Sequence, residues 1–100
     1  MKITRNVQIQ LKEGKGKEFL QTFESQILPV LRQQAGFQDE LTLLDNNRAL
    51  LISFWNDRKS AENYHNSVFP KLVEKLNHMI QTPPKVEVYE VANTTLHVAA

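Results

Sequence analysis

Short runs of alternating apolar and polar residues divide this chain from stretches whose apolar residues recur every three or four positions. The first run, ITRNVQIQL, sets Ile3, Val7, Ile9 and Leu11 against Thr4, Asn6, Gln8 and Gln10. Period two of this kind predicts a strand with one buried face. After the turn KEGKG, Phe19, Phe23, Ile27, Val30 and Leu31 form an apolar stripe that predicts a helix over about residues 15–34. Pro29 lacks an amide hydrogen, so a bend is expected near Ser25 or Gln26. Gly36 stands where a left-handed helix cap is needed.

FQDELTLLD and ALLISFW read as two further strands joined by the polar turn DNNR, where asparagine tolerates positive φ. In the third strand Leu51, Ser53 and Trp55 share one face and Leu50, Ile52 and Phe54 the other, so both faces are expected to be covered. Asp57 is placed to cap a second helix whose inner face holds Ala61, Tyr64, His65 and Val68. Phe69-Pro70 breaks that helix, and Leu72, Val73, Leu76, Met79 and Ile80 continue the stripe beyond it. VEVYEVA is the last strand, with Val86 and Val88 on one face and Tyr89 and Val91 on the other. The tail NTTLHVAA offers one more short strand.

The order strand, helix, strand, strand, helix, strand gives an α+β class, ferredoxin-like βαββαβ unit: a four-stranded antiparallel sheet with both helices on one face. The other face of the sheet then needs cover. A second copy of the chain supplies it most simply, so a two-fold homodimer with sheet against sheet is expected.

Composition narrows the classes of function. With 100 residues, 41% hydrophobic and 23% charged, the chain suits a single globular domain spanning residues 1–100. A net charge of +1 without a basic, aromatic-studded face argues against nucleic acid. There are no cysteines, hence neither disulfides nor thiolate metal sites. The N-terminal segment is too polar for a signal peptide and no apolar run is long enough for a membrane span, so the cytoplasm is the expected location. The triplet at Asn93 carries no weight as a glycosylation acceptor in that setting.

Three segments, GKGKEFLQTFESQILPVLRQQAGFQDELTLLD, LISFWNDRKSAENYHNS and PPKVEVYEVAN, carry a resemblance. The chain resembles the antibiotic biosynthesis monooxygenase (ABM) domain family of the dimeric α+β barrel superfamily. The resemblance rests on the Gly-Lys turn, the late proline, arginine and Gly-Phe ending the first helix, the strand ending in Trp55, the polar cap, the Tyr64-His65 pair and the valine-rich last strand. It implies a ferredoxin-like protomer, a dimer closing two sheets into a barrel, and a pocket between sheet and helices. The family includes oxygenases of aromatic polyketides or quinols that use no metal or flavin, haem degraders, isomerases, and members of no known activity. Fold alone does not choose among these.

The candidate chemistry centres on residues 53–67. Trp55 and Tyr64 could wall a pocket for a flat substrate, or be core aromatics with polar tips. His65 is the candidate acid/base, able to take a phenolic proton near neutrality, with a half-exposed helix histidine as the plain alternative. Asn6, and less so Gln8, could orient a substrate carbonyl or satisfy amides at the sheet interface. Arg32 and His78 read as helix-end or solvated residues, and His97 lies in the tail. Gly14 and Gly16 read as turn residues rather than a phosphate cradle. His65, His78 and His97 lack ligand spacing, so no metal is expected. Haem-degrading relatives have a haem-ligating histidine where this chain reads FPKLVEK, which argues against haem. The leading expectation is therefore a cofactor-independent monooxygenase of a small aromatic or quinol-like compound. The alternatives are a non-catalytic dimeric ligand-binding or stress-response protein, and an isomerase.

Overall fold

The computed structural model describes residues 2–96. Its elements are β1 (Ile3–Gln10), α1 (Gly16–Thr22), a π-helical segment (Phe23–Ile27), α2 (Leu28–Arg32), β2 (Phe37–Asp45), β3 (Arg48–Trp55), α3 (Arg58–Ser67), α4 (Phe69–Leu76), a 3-10 turn (Asn77–Met79) and β4 (Lys85–Glu90). The strands form one antiparallel sheet in the order β2-β3-β1-β4. This is the split βαβ arrangement that the element order predicts.

The first helix is continuous but not uniform. The proline ring at position 29 crowds the Ser25 carbonyl and offers it no donor. The chain responds by widening one turn: the Leu28 amide donates to the Phe23 carbonyl, five residues back. The Ser25 hydroxyl turns back to the Gln21 carbonyl at 2.7 Å. The widened turn therefore falls where Pro29 places the irregularity. Through it Phe19, Phe23, Ile27 and Leu31 all stay buried against the sheet.

Three local signals set the connections. Asn46 takes φ +56° in the β2–β3 turn. Asp57 Oδ1 accepts the Ser60 amide at 2.8 Å and caps α3. Gly36 has φ +83°, and a Cβ there would lie 2.4 Å from Ser60 Cβ, so both conformation and space demand glycine. The Gly36 carbonyl also accepts the Asn56 amide at 2.8 Å, tying the exit of α2 to the start of α3. α4 starts afresh at Phe69, with Pro70 in its first turn.

The helices cover one face of the sheet, and Ile3, Val7, Ile9, Ala49 and Trp55 pack there against Phe19, Phe23, Leu72 and Leu76. Cross-strand register places Arg5 opposite Ser53, and Ser53 opposite Glu40. A row of polar residues therefore crosses an otherwise apolar inner face. The outer face carries Thr4, Asn6 and Gln8 beside Phe54, Ile52 and Leu50. On that face Leu41, Leu43 and Tyr89 are exposed by 40%, 49% and 55%. β4 ends at Glu90, and residues 91–96 form no strand. His97 and the rest of the proposed tail strand lie outside the described residues.

Candidate functional site

The inner polar row meets α3 and α4 at Arg5. Period-two geometry turns Arg5 inward with Ile3 and Val7, and only 2% of it is exposed. Its guanidinium lies 4.5 Å from the Phe69 ring centre and 4.9 Å from that of Tyr64, a cation held between two aromatic faces. Its terminal nitrogen is 3.0 Å from Nδ1 of His65. Arg5 Nε has no hydrogen-bond partner, and Arg5 forms no ion pair among the described residues. A buried cation without a carboxylate is uncommon, because desolvation is then offset only by weaker contacts.

That contact fixes the state of His65. Guanidinium nitrogens only donate, so Nδ1 must accept, and the ring proton then sits on Nε2 of a neutral imidazole. Partial burial, and next the Arg5 charge, hold the His65 pKa below its ordinary value. The ring stacks on Phe69 with centres 5.5 Å apart and planes 19° apart, and its outer side is exposed.

Beneath this pair lies an aromatic stack. Tyr64 sits 4.9 Å from Trp55, and Trp55 meets Phe37 edge-on at 5.6 Å. Trp55 is wholly buried, and its indole N–H donates to the Ser53 hydroxyl at 2.8 Å. Burial pushes the Tyr64 phenol up to about 12, against the pull of Arg5 and with a small push from Glu40. The phenol therefore stays protonated through the physiological range. Glu40 is half-buried and accepts the Thr42 hydroxyl at 2.8 and 3.0 Å. Its carboxyl is raised chiefly by burial, while the Thr42 bonds pull it down and Asp39 adds a small push upward.

Arg5, Glu40, Ser53, Tyr64 and Phe69 line one narrow cavity between sheet and helices, closed otherwise by apolar side chains such as Ile27 and Leu72. Its volume is about 30 Å³, room for one water-sized group. A larger concavity of about 540 Å³ opens at the other end of the sheet beside Leu43, Arg48 and Lys85. There Arg48 and Asp45 pair with each other in solvent at 2.5 Å. The small cavity is the better site because charge, burial and aromatic faces converge on it.

The structure thus brings Trp55, Tyr64 and His65 together, with Trp55 as the buried floor behind Tyr64. Asn6 does not join them. It lies on the outer face of the sheet, where its amide donates to the Thr4 hydroxyl at 3.1 Å and the Glu87 carbonyl at 3.4 Å. Gln8 reaches Glu87 on the same face. Arg32 is exposed in the last turn of α2. His78 is exposed and contacts Glu18 at 2.9 Å. The pattern of hydrophobic residues alone passes over Arg5, Ser53, Glu40 and Phe69. The available signal was Arg5 itself, a charge standing between Ile3 and Val7 on the face predicted to be buried.

Among the described residues no three His, Asp or Glu side chains converge to hold a metal ion, and no helix is long and apolar enough to cross a membrane. The antibiotic biosynthesis monooxygenase family model matches residues 2–76. No curated protein matches the chain significantly. Solved structures share the fold at low identity. The cofactor-independent oxygenase SnoaB of Streptomyces nogalater is 15% identical with a TM-score of 0.79, the match covering 94% of this chain and 96% of that one. A monooxygenase of Streptomyces coelicolor in complex with nanaomycin D is 13% identical with a TM-score of 0.79, covering 94% and 90%. A Nitrosomonas europaea protein of unknown function is 18% identical with a TM-score of 0.77, covering 95% and 93%. With its family model spanning three-quarters of the sequence and its fold shared along nearly the full length, this chain belongs to the antibiotic biosynthesis monooxygenase family.

Proposed function

We propose that the protein is a cofactor-independent monooxygenase of a small phenolic or quinol-like compound, with His65 as the base. The observation that carries this reading is the contact of neutral His65 with Arg5, whose side chain lines the sheet–helix cavity. A substrate hydroxyl inserted there would replace one hydrogen bond by two. It would accept from the Arg5 guanidinium and donate to Nδ1 of His65.

Proton transfer to Nδ1 leaves a phenolate beside Arg5, and that cation offsets the developing negative charge. The electron-rich anion gives an electron to dioxygen, and the two radicals combine in a carbon–oxygen bond. Protonation gives a hydroperoxide. Loss of water from it leaves a carbonyl, so one oxygen atom stays in the product and the other leaves as water. Tyr64 and Phe69 supply aromatic faces for a planar ring, and Trp55 holds Tyr64 from beneath. A 30 Å³ cavity does not hold such a ring, so binding must move side chains at the α3–α4 junction, Phe69 first.

The outer sheet face supports a homodimer as part of the same reading. Leu41, Leu43 and Tyr89 are exposed there beside half-buried Leu50 and Ile52, an apolar surface that a second sheet would cover. Sedimentation at micromolar concentration should show a dimer, and a monomer rejects that part. The oxygenase reading is tested by oxygen uptake with phenols and hydroquinones. Wild-type protein should consume one dioxygen per quinone or hydroxyquinone formed, without release of hydrogen peroxide, and His65→Ala should lose about 10²-fold or more in kcat/KM. A product formed without oxygen consumption would favour an isomerase. No turnover across the panel would favour a ligand-binding protein.

A further inference from the structure

The proposed base does not account for Arg5. A hydrogen bond from a neutral donor would set the same tautomer of His65 without a charge in the core. What stands out is a guanidinium that is 2% exposed, has no ion pair among the described residues and keeps Nε unpartnered. Its neighbours are the faces of Tyr64 and Phe69, the acceptor nitrogen of His65, and across the sheet Ser53 and then Glu40. None brings a full negative charge into contact with it. Glu40 is a residue further along the row, and burial disfavours its ionised form.

We propose that Arg5 is the anchor of an anion-binding subsite inside the sheet–helix cavity, and that the ligand is an apolar, ring-bearing monoanion whose oxyanion sits on the guanidinium. This names the ligand class of the site assigned above and rests on that location. It does not require oxygenation. The head must be an oxyanion because a guanidinium fork pairs with carboxylate or phenolate oxygens, and Nε with one terminal nitrogen offers the side-on pair of donors. The body must be apolar because the remaining lining is apolar throughout, Val7, Ile27, Leu31, Leu72 and Leu76 among it. One charge suffices, because the lining holds one cation.

The cavity admits a head alone as it stands, and the ligand's ring must take the place of Phe69. The exchange of contacts favours the ligand. Phe69 gives Arg5 one cation–π contact, at 4.5 Å. A carboxylate in the same position forms a desolvated, charge-assisted pair of greater strength. Phe69 is half-buried at the first residue of α4, next to the Val68 break, so its movement disturbs no helix interior.

Carboxylate and phenolate heads share this chemistry, and the test separates them. Benzoate, 4-nitrophenolate and benzamide, a neutral counterpart of benzoate, are titrated into the ¹⁵N-labelled protein under argon at pH 8. Wild-type protein should give saturable shifts at residues 5, 53, 64 and 69 with at least one of the two anions, at least tenfold tighter than with benzamide. The tighter anion identifies the head. Arg5→Gln, checked for native dispersion in the same spectra, should lose that preference. Three results overturn the inference: no saturable binding of either anion, benzamide binding within tenfold of the tighter anion, or Arg5→Gln retaining the preference. No turnover occurs under argon, so failure here is distinct from failure of the oxygenase reading, which oxygen uptake alone decides.

Discussion

If Arg5 is kept for a ligand, removing its charge should cost the empty protein little. The perturbation that tests this is Arg5→Met, which fills similar space with an unbranched apolar side chain. On one side of the balance stand two cation–π contacts, at 4.5 and 4.9 Å, worth roughly 1–2 kcal/mol each in a desolvated setting. The bond to His65 adds about 1 kcal/mol, at the low end for a charged donor because the histidine is exposed. The loss is therefore about 3–5 kcal/mol. On the other side, burying a guanidinium costs several kcal/mol even after relaxation. The unpartnered Nε accounts for about 1–3 kcal/mol of desolvation. The two sides nearly cancel, so Arg5→Met should change stability by no more than about 2 kcal/mol, with gain as easily as loss. At a fixed protein concentration, urea unfolding followed by Trp55 fluorescence would measure this. For a domain of this size 2 kcal/mol corresponds to roughly 8–16 °C in Tm. A loss greater than about 3 kcal/mol at unchanged m-value would refute the reasoning, because Arg5 would then be a net structural stabiliser.

Other predictions follow from neighbouring observations. The His65 pKa, followed by NMR of the ring, should lie below 6.5 in wild type because of burial and Arg5, and should rise in Arg5→Met. Because folding depresses that pKa, this histidine's contribution to stability is complete above pH 6.5 and is lost as pH falls toward the folded value. A shallower acid limb in Arg5→Met than in wild type is the expected signature, because burial of the ring remains and only the Arg5 charge is removed. Glu40 is shifted the other way, so its cost appears as pH rises through its raised pKa, and Glu40→Gln should stabilise the protein at pH 7 but not at pH 4. Gly36→Ala should cost at least about 1–2 kcal/mol in chemical denaturation, since it adds a side chain at φ +83° against Ser60. Trp55→Phe should cost about 2–4 kcal/mol, from a fully buried cavity and the loss of the bond to Ser53.

The fold was legible because its instructions are local. Phe19, Phe23, Ile27 and Leu31 repeat at helical spacing, the strands alternate, and Gly36, Asn46 and Asp57 act within a few residues of themselves. Pro29 even marks where the helix widens. The site was less legible because it depends on register. Arg5 and His65 are 60 residues apart, and they meet only because β1 pairs with β3 and α3 folds back over them. Strand alternation turns Asn6 to the outer face, away from the site for which its amide made it a candidate. Trp55 shows a related limit: strand alternation indicates which face it occupies, but its complete burial depends on Phe37 and Tyr64 arriving from two other elements.

The central claim is that His65, at the cavity that Arg5 anchors, takes the proton that opens a phenol or quinol to dioxygen. The most direct measurement is oxygen consumption by metal-free, chelator-treated protein with a panel of hydroquinones, compared with His65→Ala. The account predicts one dioxygen consumed per hydroxyquinone formed in wild type, without release of hydrogen peroxide, and kcat/KM reduced by about 10²-fold or more in the variant. No uptake with any member of the panel, or equal rates for the two proteins, would contradict it.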